Sequence, residues 1–160
     1  MNNADIFVAQ HLGTFKVKVT GRATFAVAPT MRELVQAVEN ASDKRGVTID
    51  LTQCTGMDST FMGILTMLAL KVRKENITVK LVNAGDNKKL LDGLGLKKLF
   101  NYVDEEVSSD DWQKTAINHT TIKENAKTVL DAHKILMKAD ENNIDKFKNV
   151  VKMVEKELDQ

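Results

Sequence analysis

The chain has 160 residues, of which 42% are hydrophobic and 28% charged, a composition that suits one globular domain with an appendage. Its 23 Lys and Arg residues against 22 Asp and Glu give a formal charge of +1, which leaves no excess of positive charge for nucleic acid as a partner. With a single cysteine, Cys54, no signal-peptide pattern and no apolar run long enough for a membrane span, we expect a cytoplasmic protein without a membrane partner.

The chain begins with the pattern of an antiparallel hairpin. Residues 6 to 8 and 14 to 19 predict two short strands, since apolar residues alternate with lysines in the second. Residues 21 to 25 are interpreted as a connector. Pro29 then lies where the first turn of a helix tolerates a missing N–H, and an apolar stripe follows it.

The middle of the chain predicts a strand, a helix and a second strand. Residues 47 to 51 and 77 to 82 are short runs rich in β-branched side chains, and the apolar segment 60 to 74 lies between them. A connection of that length favours a right-handed crossover, so the two strands are expected to be parallel.

The domain is predicted to end with a short helix and an edge strand. Residues 90 to 100 indicate a helix that stops near Gly93, and Tyr102 and Val103 supply the strand. Together these elements predict an α/β domain over residues 1–104.

Beyond this domain the composition changes. An acidic, polar stretch predicts a linker over residues 105–118, and residues 119–160 show only helical periodicity, typical of a C-terminal extension of two amphipathic helices. The first apolar stripe comprises Ile122, Ala126, Val129, His133, Leu136 and Met137, and the second comprises Ile144, Phe147, Val150, Val151, Val154 and Leu158. Because two helices alone cannot bury both stripes, we expect them to pack on the domain or on a second copy of it.

Residues 49 to 65, IDLTQCTGMDSTFMGIL, resemble the central signature of STAS domains, in which a strand leads through a short loop to Asp-Ser at the start of a helix. The resemblance extends over roughly residues 6 to 103 and implies a STAS-like mixed sheet with helices. In the soluble members of this family, the anti-sigma-factor antagonists, the hydroxyl residue after that Asp is phosphorylated. Their kinase is a serine kinase that is also the anti-sigma factor, and a phosphatase reverses the modification. The resemblance implies that the corresponding position in this chain is Ser59.

The resemblance therefore implies a binding switch rather than an enzyme, with no cofactor. On a helical wheel one face of the segment 60 to 74 serves the core, and the other is apolar as well and is expected to meet a partner. The predicted partner-binding residues are Asp58, Thr60, Met62, Gly63, Thr66, Met67 and Leu70. The family usually has Gly two residues after the phosphorylated Ser, whereas this chain has Phe61 there and Gly only at 63.

Two alternatives stay open. Ser59 at a helix start is also explained as a plain N-cap, in a STAS scaffold or sensor subunit that assembles through its tail without phosphorylation. The second face of the helix either is covered by the chain's own tail or meets a partner, in which case the tail packs against the same tail in a second subunit. We favour the homodimer, because it leaves Met62, Met67 and Leu70 free for a partner.

Other chemistry has little support in the sequence. No P-loop occurs, and His11, His119 and His133 lack metal-ligand spacing, so that no metal and no catalytic residue are assigned. His133, on an apolar stripe, is interpreted as a packing residue.

Overall fold

The structure is a computed structural model that describes residues 4–106, 111–117 and 120–160. Residues 107–110 and 118 of the predicted linker and His119, the first residue of the predicted extension, lie outside the described residues. The predicted boundaries of the domain, the linker and the extension remain a prediction.

A mixed sheet forms the centre of the domain. The strands in the described residues are β1 Asp5–His11, β2 Thr14–Ala23, β3 Gly46–Asp50, β4 Cys54–Met57, β5 Val79–Val82, β6 Phe100–Val103 and β7 Gln113–Lys114. Their order across the sheet is β6-β5-β3-β2-β1-β7, and β4 pairs with the end of β2. The first two strands form the predicted antiparallel hairpin, whereas β3 and β5 are parallel, which confirms the crossover predicted around the central helix.

Helices follow the strands in the order that the sequence predicts. They are α1 Ala28–Asn40, α2 Ser59–Arg73, α3 Asn87–Gly93, α4 Ile122–Ala139 and α5 Asn142–Leu158. The inner face of α2 is fully buried, and it belongs to the same core as apolar residues of β1, β2, β3 and β5. This α/β architecture with two C-terminal helices confirms the predicted fold class.

Two local predictions are wrong. The connector assigned to residues 21 to 25 belongs in part to β2, which continues to Ala23 beyond a register shift between Gly21 and Arg22. The loop before Asp58 contains β4, a strand too short to give an alternating pattern.

Within the predicted linker, β7 pairs with β1, so the linker is attached to the sheet at Gln113 and Lys114.

The two predicted tail helices are confirmed as α4 and α5, although two stripe residues are misplaced. Ile122 and Ile144 are 89% and 44% exposed, while Leu130 and Ala132 are buried instead. Thr121 caps α4 by accepting a hydrogen bond from the amide of Glu124 at 3.0 Å. Ile122 therefore belongs to the first, solvent-facing turn rather than to the contact surface.

The tail packs on the outer face of α2 in its own chain, with α4 in direct contact and α5 against α4. The apolar stripe of α4 and the second apolar face of α2 cover each other within one chain. The prediction that the tail packs against a second subunit is therefore wrong for α4. A homodimer through the remaining tail surface stays a prediction. Among the helices described, none has the length and apolar character needed to cross a membrane.

Candidate functional site

The start of α2 is fixed by Asp58. One carboxylate oxygen, Oδ1, accepts a hydrogen bond from the amide of Phe61 at 2.9 Å, and Oδ2 accepts one from the amide of Phe25 at 2.8 Å. The amide of Asp58 donates to the carbonyl of Ala23 at 3.0 Å. Asp58 is thus the N-cap, and it also joins the start of α2 to the loop that precedes α1. The prediction that Ser59 is the cap is wrong by one residue.

Ser59 is the first residue of α2, and its side chain bonds to the tail. Its Oγ lies 2.8 Å from Nε2 of His133, while Nδ1 of the same ring lies 2.7 Å from the carbonyl oxygen of Val129. Because a carbonyl oxygen only accepts, Nδ1 carries the proton, and in the neutral ring Nε2 accepts from the Ser59 hydroxyl. The hydroxyl therefore has a partner 74 positions away in the sequence, in α4.

His133 is held firmly in this position. It is 4% exposed, and its ring packs edge-on against Phe147 of α5 with the ring centroids 4.9 Å apart. Its interpretation as a packing residue is confirmed, but no pattern in the sequence indicated that the packing would occur at Ser59. Only the crossing of α4 over α2 brings the two side chains together.

The predicted partner-binding face of α2 is mostly covered in this conformation. Thr60 and Met62 are 5% and 6% exposed, Thr66 is fully buried, and Gly63 is buried as well. Met67 and Leu70 are half-buried near the far end of α2. The expectation that the tail leaves this face free is therefore wrong for Met62, and partner binding by these residues stays a prediction.

Gly63 is the point of closest approach between α2 and α4. A Cβ atom built at this glycine would lie 2.5 Å from the carbonyl oxygen of Ala132 and 2.7 Å from its Cβ. No side chain fits there without a shift of α4. The glycine that departs from the usual family position is thus explained by the tail of this chain.

An ion pair and backbone contacts also hold the tail. Arg32 of α1 donates to Asp131 of α4 at 2.6 Å, and both side chains are largely buried. The amide nitrogen of the Asn143 side chain donates to the carbonyl of Leu94 at 2.9 Å, and Nζ of Lys146 donates to that of Gly93 at 2.8 Å. These bonds connect the start of α5 to the turn after α3.

Phe25 is a site residue that the sequence analysis missed. Its amide bonds to Asp58, yet its side chain is 57% exposed. An exposed aromatic side chain beside a candidate phosphorylation site is a suitable contact for a protein partner. The sequence feature that indicates such a contact residue is an aromatic side chain within a segment interpreted as a connector.

Cys54 lies in β4 near the site but is protected. Its thiol is buried and 3.4 Å from the carbonyl oxygen of Gly56. Burial raises the pKa of the Cys54 thiol, which disfavours the reactive thiolate at neutral pH. In the part of the chain that the structure describes, no group of three His, Cys, Asp or Glu residues could hold a metal ion.

A serine hydroxyl that donates a hydrogen bond to an imidazole is also the arrangement that activates a serine as a nucleophile. His133 is 4% exposed, however, and Ser59 is half-buried where α2 meets α4, so that α4 partly shields the pair from other molecules.

Comparisons with known proteins agree with this architecture. A family model described as "Mlab, STAS domain" matches residues 6–101. Among solved structures, an anti-sigma factor antagonist from Mycobacterium paratuberculosis is 22% identical, with a TM-score of 0.55 over 79% of this chain and 94% of that one.

Two further structures show the same fold. The anti-sigma factor antagonist SpoIIAA in its unphosphorylated form is 11% identical, with a TM-score of 0.54 over 64% of this chain and 89% of its own. The Bacillus cell fate determinant SpoIIAA in its phosphorylated form is 13% identical, with a TM-score of 0.54 over 63% and 91%. No curated protein matches the sequence.

Proposed function

Because the chain belongs to the STAS domain family, we propose that it is an anti-sigma-factor antagonist, a binding switch controlled by phosphorylation of Ser59. Its partner is a serine kinase that is also an anti-sigma factor, and a phosphatase resets the switch. The observation that carries the proposal is the Asp58-Ser59 pair at the first turn of α2, in a fold that it shares with antagonists of this type.

The start of α2 suits a phosphoserine. Amide groups in the first turn of a helix lack intrahelical partners and face a positive dipole end, so they favour an anion. Since Asp58 rather than Ser59 caps the helix, modifying Ser59 leaves the cap in place. The favoured acceptor is Ser59 and not Thr60, because Thr60 is only 5% exposed.

A phosphate at this position weakens partner binding. It adds about −1.5 to −2 charge next to the carboxylate of Asp58, on a surface whose remaining members are mainly apolar. Desolvation of this charge and repulsion from acidic groups of a partner both oppose association. The protein acts by binding rather than by catalysis, in the cytoplasm.

One observation favours a second candidate function. The bond between Ser59 and His133 gives the hydroxyl a structural role, as expected for a STAS scaffold or sensor subunit in which Ser59 is not phosphorylated. Such a subunit assembles through the exposed surface of the tail itself, which includes Ile144 and Met153 of α5, 44% and 61% exposed. A concentration-dependent mass in solution without any phosphate acceptance supports this reading.

The proposed function is tested by incubating the protein with ATP and the cognate serine kinase and mapping the phosphopeptides by mass spectrometry. We expect phosphate on Ser59, and none in the Ser59→Ala variant. Ser42→Ala changes an exposed serine after α1 and serves as the matched control, which should be phosphorylated like the unchanged protein. Phosphate on Thr60 or elsewhere, with Ser59 unmodified, contradicts the proposal.

A further inference from the structure

The tail contacts meet at the residue that the proposed function modifies. The hairpin formed by α4 and α5, residues 122–158, lies over Ser59 and the outer face of α2, and we refer to it as the lid. We propose that the lid is an autoinhibitory cover that closes over unmodified Ser59 and that a phosphate on Ser59 holds open. This inference rests on the proposed function, since it concerns the regulation of the same site.

The lid is held to the domain by polar contacts at the middle of α4 and at the start of α5, and by one close helix crossing. At the middle of α4 lie the bond from Ser59 to His133 and the approach of Ala132 to Gly63. The ion pair of Asp131 with Arg32 adds one charged contact beside them. Three consecutive residues of α4, Asp131 to His133, therefore supply the main polar and backbone contacts with α1 and α2.

The second helix of the lid contributes little to its attachment. Only Asn143 and Val151 of α5 are buried, and the polar bonds of α5 to the domain come from its first turns, at Asn143 and Lys146. Most of its contacts are with α4. The hairpin is thus a packed pair of helices that supplies no strand to the sheet, although its departure from α2 as one body exposes Ala132 and Leu136 of the core cluster.

A phosphate on Ser59 is incompatible with the closed lid. The kinase transfers the γ-phosphoryl group of ATP: a bond forms between Ser59 Oγ and phosphorus, the bond between that phosphorus and the departing ADP breaks, and the hydroxyl proton passes to a base of the kinase. Oγ then has no hydrogen to donate to Nε2 of His133, which lies 2.8 Å away. The three terminal oxygens of the phosphate also need space that the imidazole occupies.

The charge of the phosphate acts in the same direction. In the closed lid the carboxylate of Asp58 lies beside Ser59 and presents its negative charge to the new anion. His133 is 4% exposed and Ser59 is half-buried, so a dianion held between α2 and α4 would lose part of its hydration. Opening of the lid returns the phosphate to water.

The lid also explains how binding and modification are limited. A partner that uses the outer face of α2 must first displace α4, so its apparent affinity is reduced by the fraction of molecules that are closed. After phosphorylation the lid cannot close, and only dephosphorylation restores the closed state. The lid therefore requires that the kinase capture the open form before it can act.

The test measures opening directly by hydrogen exchange and needs no kinase. Phosphoserine is incorporated during translation at position 59, and at position 42 as a matched control on exposed surface. We expect amides of α4 to exchange at least about tenfold faster with phosphoserine at 59 than in the unmodified protein or the control. Amides of β3, Gly46–Asp50, should be unchanged.

Equal protection of α4 in all three proteins overturns the lid, because the closed arrangement then accommodates the phosphate. A parallel rise in β3 overturns it as well, since the hairpin and the domain then unfold as one unit. The exchange measurement needs no kinase, so its outcome is separate from that of the phosphorylation experiment. A protein that opens with phosphoserine at 59 but is never phosphorylated by a serine kinase refutes the proposed function and not the lid.

Discussion

Asp58 and Ser59 are adjacent in the sequence but have different tasks. The carboxylate of Asp58 satisfies the amides of Phe61 and Phe25, so it both caps α2 and fixes the loop before α1. The hydroxyl of Ser59 takes no part in the cap and bonds to His133 instead. Modification of Ser59 therefore leaves the helix start intact and acts on the contact between α2 and α4.

We expect Asp58→Ala to lower the free energy of unfolding by about 1 to 2 kcal/mol, because two backbone amides lose their acceptor. Urea denaturation measures this change. Asp43→Ala is the matched control, since the Asp43 side chain is 71% exposed and its ion pair with Arg45 contributes little. An Asp58→Ala variant as stable as the control contradicts the role assigned to this carboxylate.

At the scale of whole elements, the decisive contact is the crossing of α4 over α2. The sequence predicted two apolar faces on the segment 60 to 74 and two amphipathic helices in the tail, because helical periodicity shows which side chains share a face. Periodicity does not show which apolar face meets which. The covering of Ser59 by His133 therefore could not be predicted, although both residues had been singled out.

Short strands set a second limit on prediction. The hairpin, the crossover pair and the edge strand were predictable from alternation and β-branched runs, whereas β4, with four residues, and β7, with two, give no pattern. Both form because neighbouring strands offer unpaired backbone groups, β2 for β4 and β1 for β7. At the site, β4 matters because it brings Asp58 to Ala23.

We expect Gly63→Ala to destabilise the contact between α2 and α4, because the added methyl group would overlap the backbone of Ala132. Overpacking of this kind typically costs about 1 to 3 kcal/mol, which exceeds the roughly 0.5 to 1 kcal/mol that alanine gains over glycine in a helix. The urea midpoint should fall. Gly93→Ala is the control in α3, where the added methyl meets nothing within 4 Å, and it should be neutral or stabilising. A Gly63→Ala protein as stable as that control contradicts the close crossing.

The chain contains a STAS domain, matched over residues 6–101, and the helices of the proposed lid, which the family match does not include. With a formal charge of +1 the chain has no strong field of its own, so the local charge at Ser59 dominates the response of this face to phosphorylation. The lid and a protein partner compete for the outer face of α2. The phosphate on Ser59 then determines whether the outer face of α2, once the lid has opened, still binds the partner.

The affinity of the protein for its serine kinase tests this account most directly. Calorimetry on the unmodified protein and on the protein with phosphoserine at position 59 compares the two states of the switch, with phosphoserine at position 42 as the control. We predict binding of the unmodified protein and of the control, and an affinity at least about tenfold lower with phosphoserine at 59, since the charge next to Asp58 opposes association. Equal affinity of all three proteins would contradict the account.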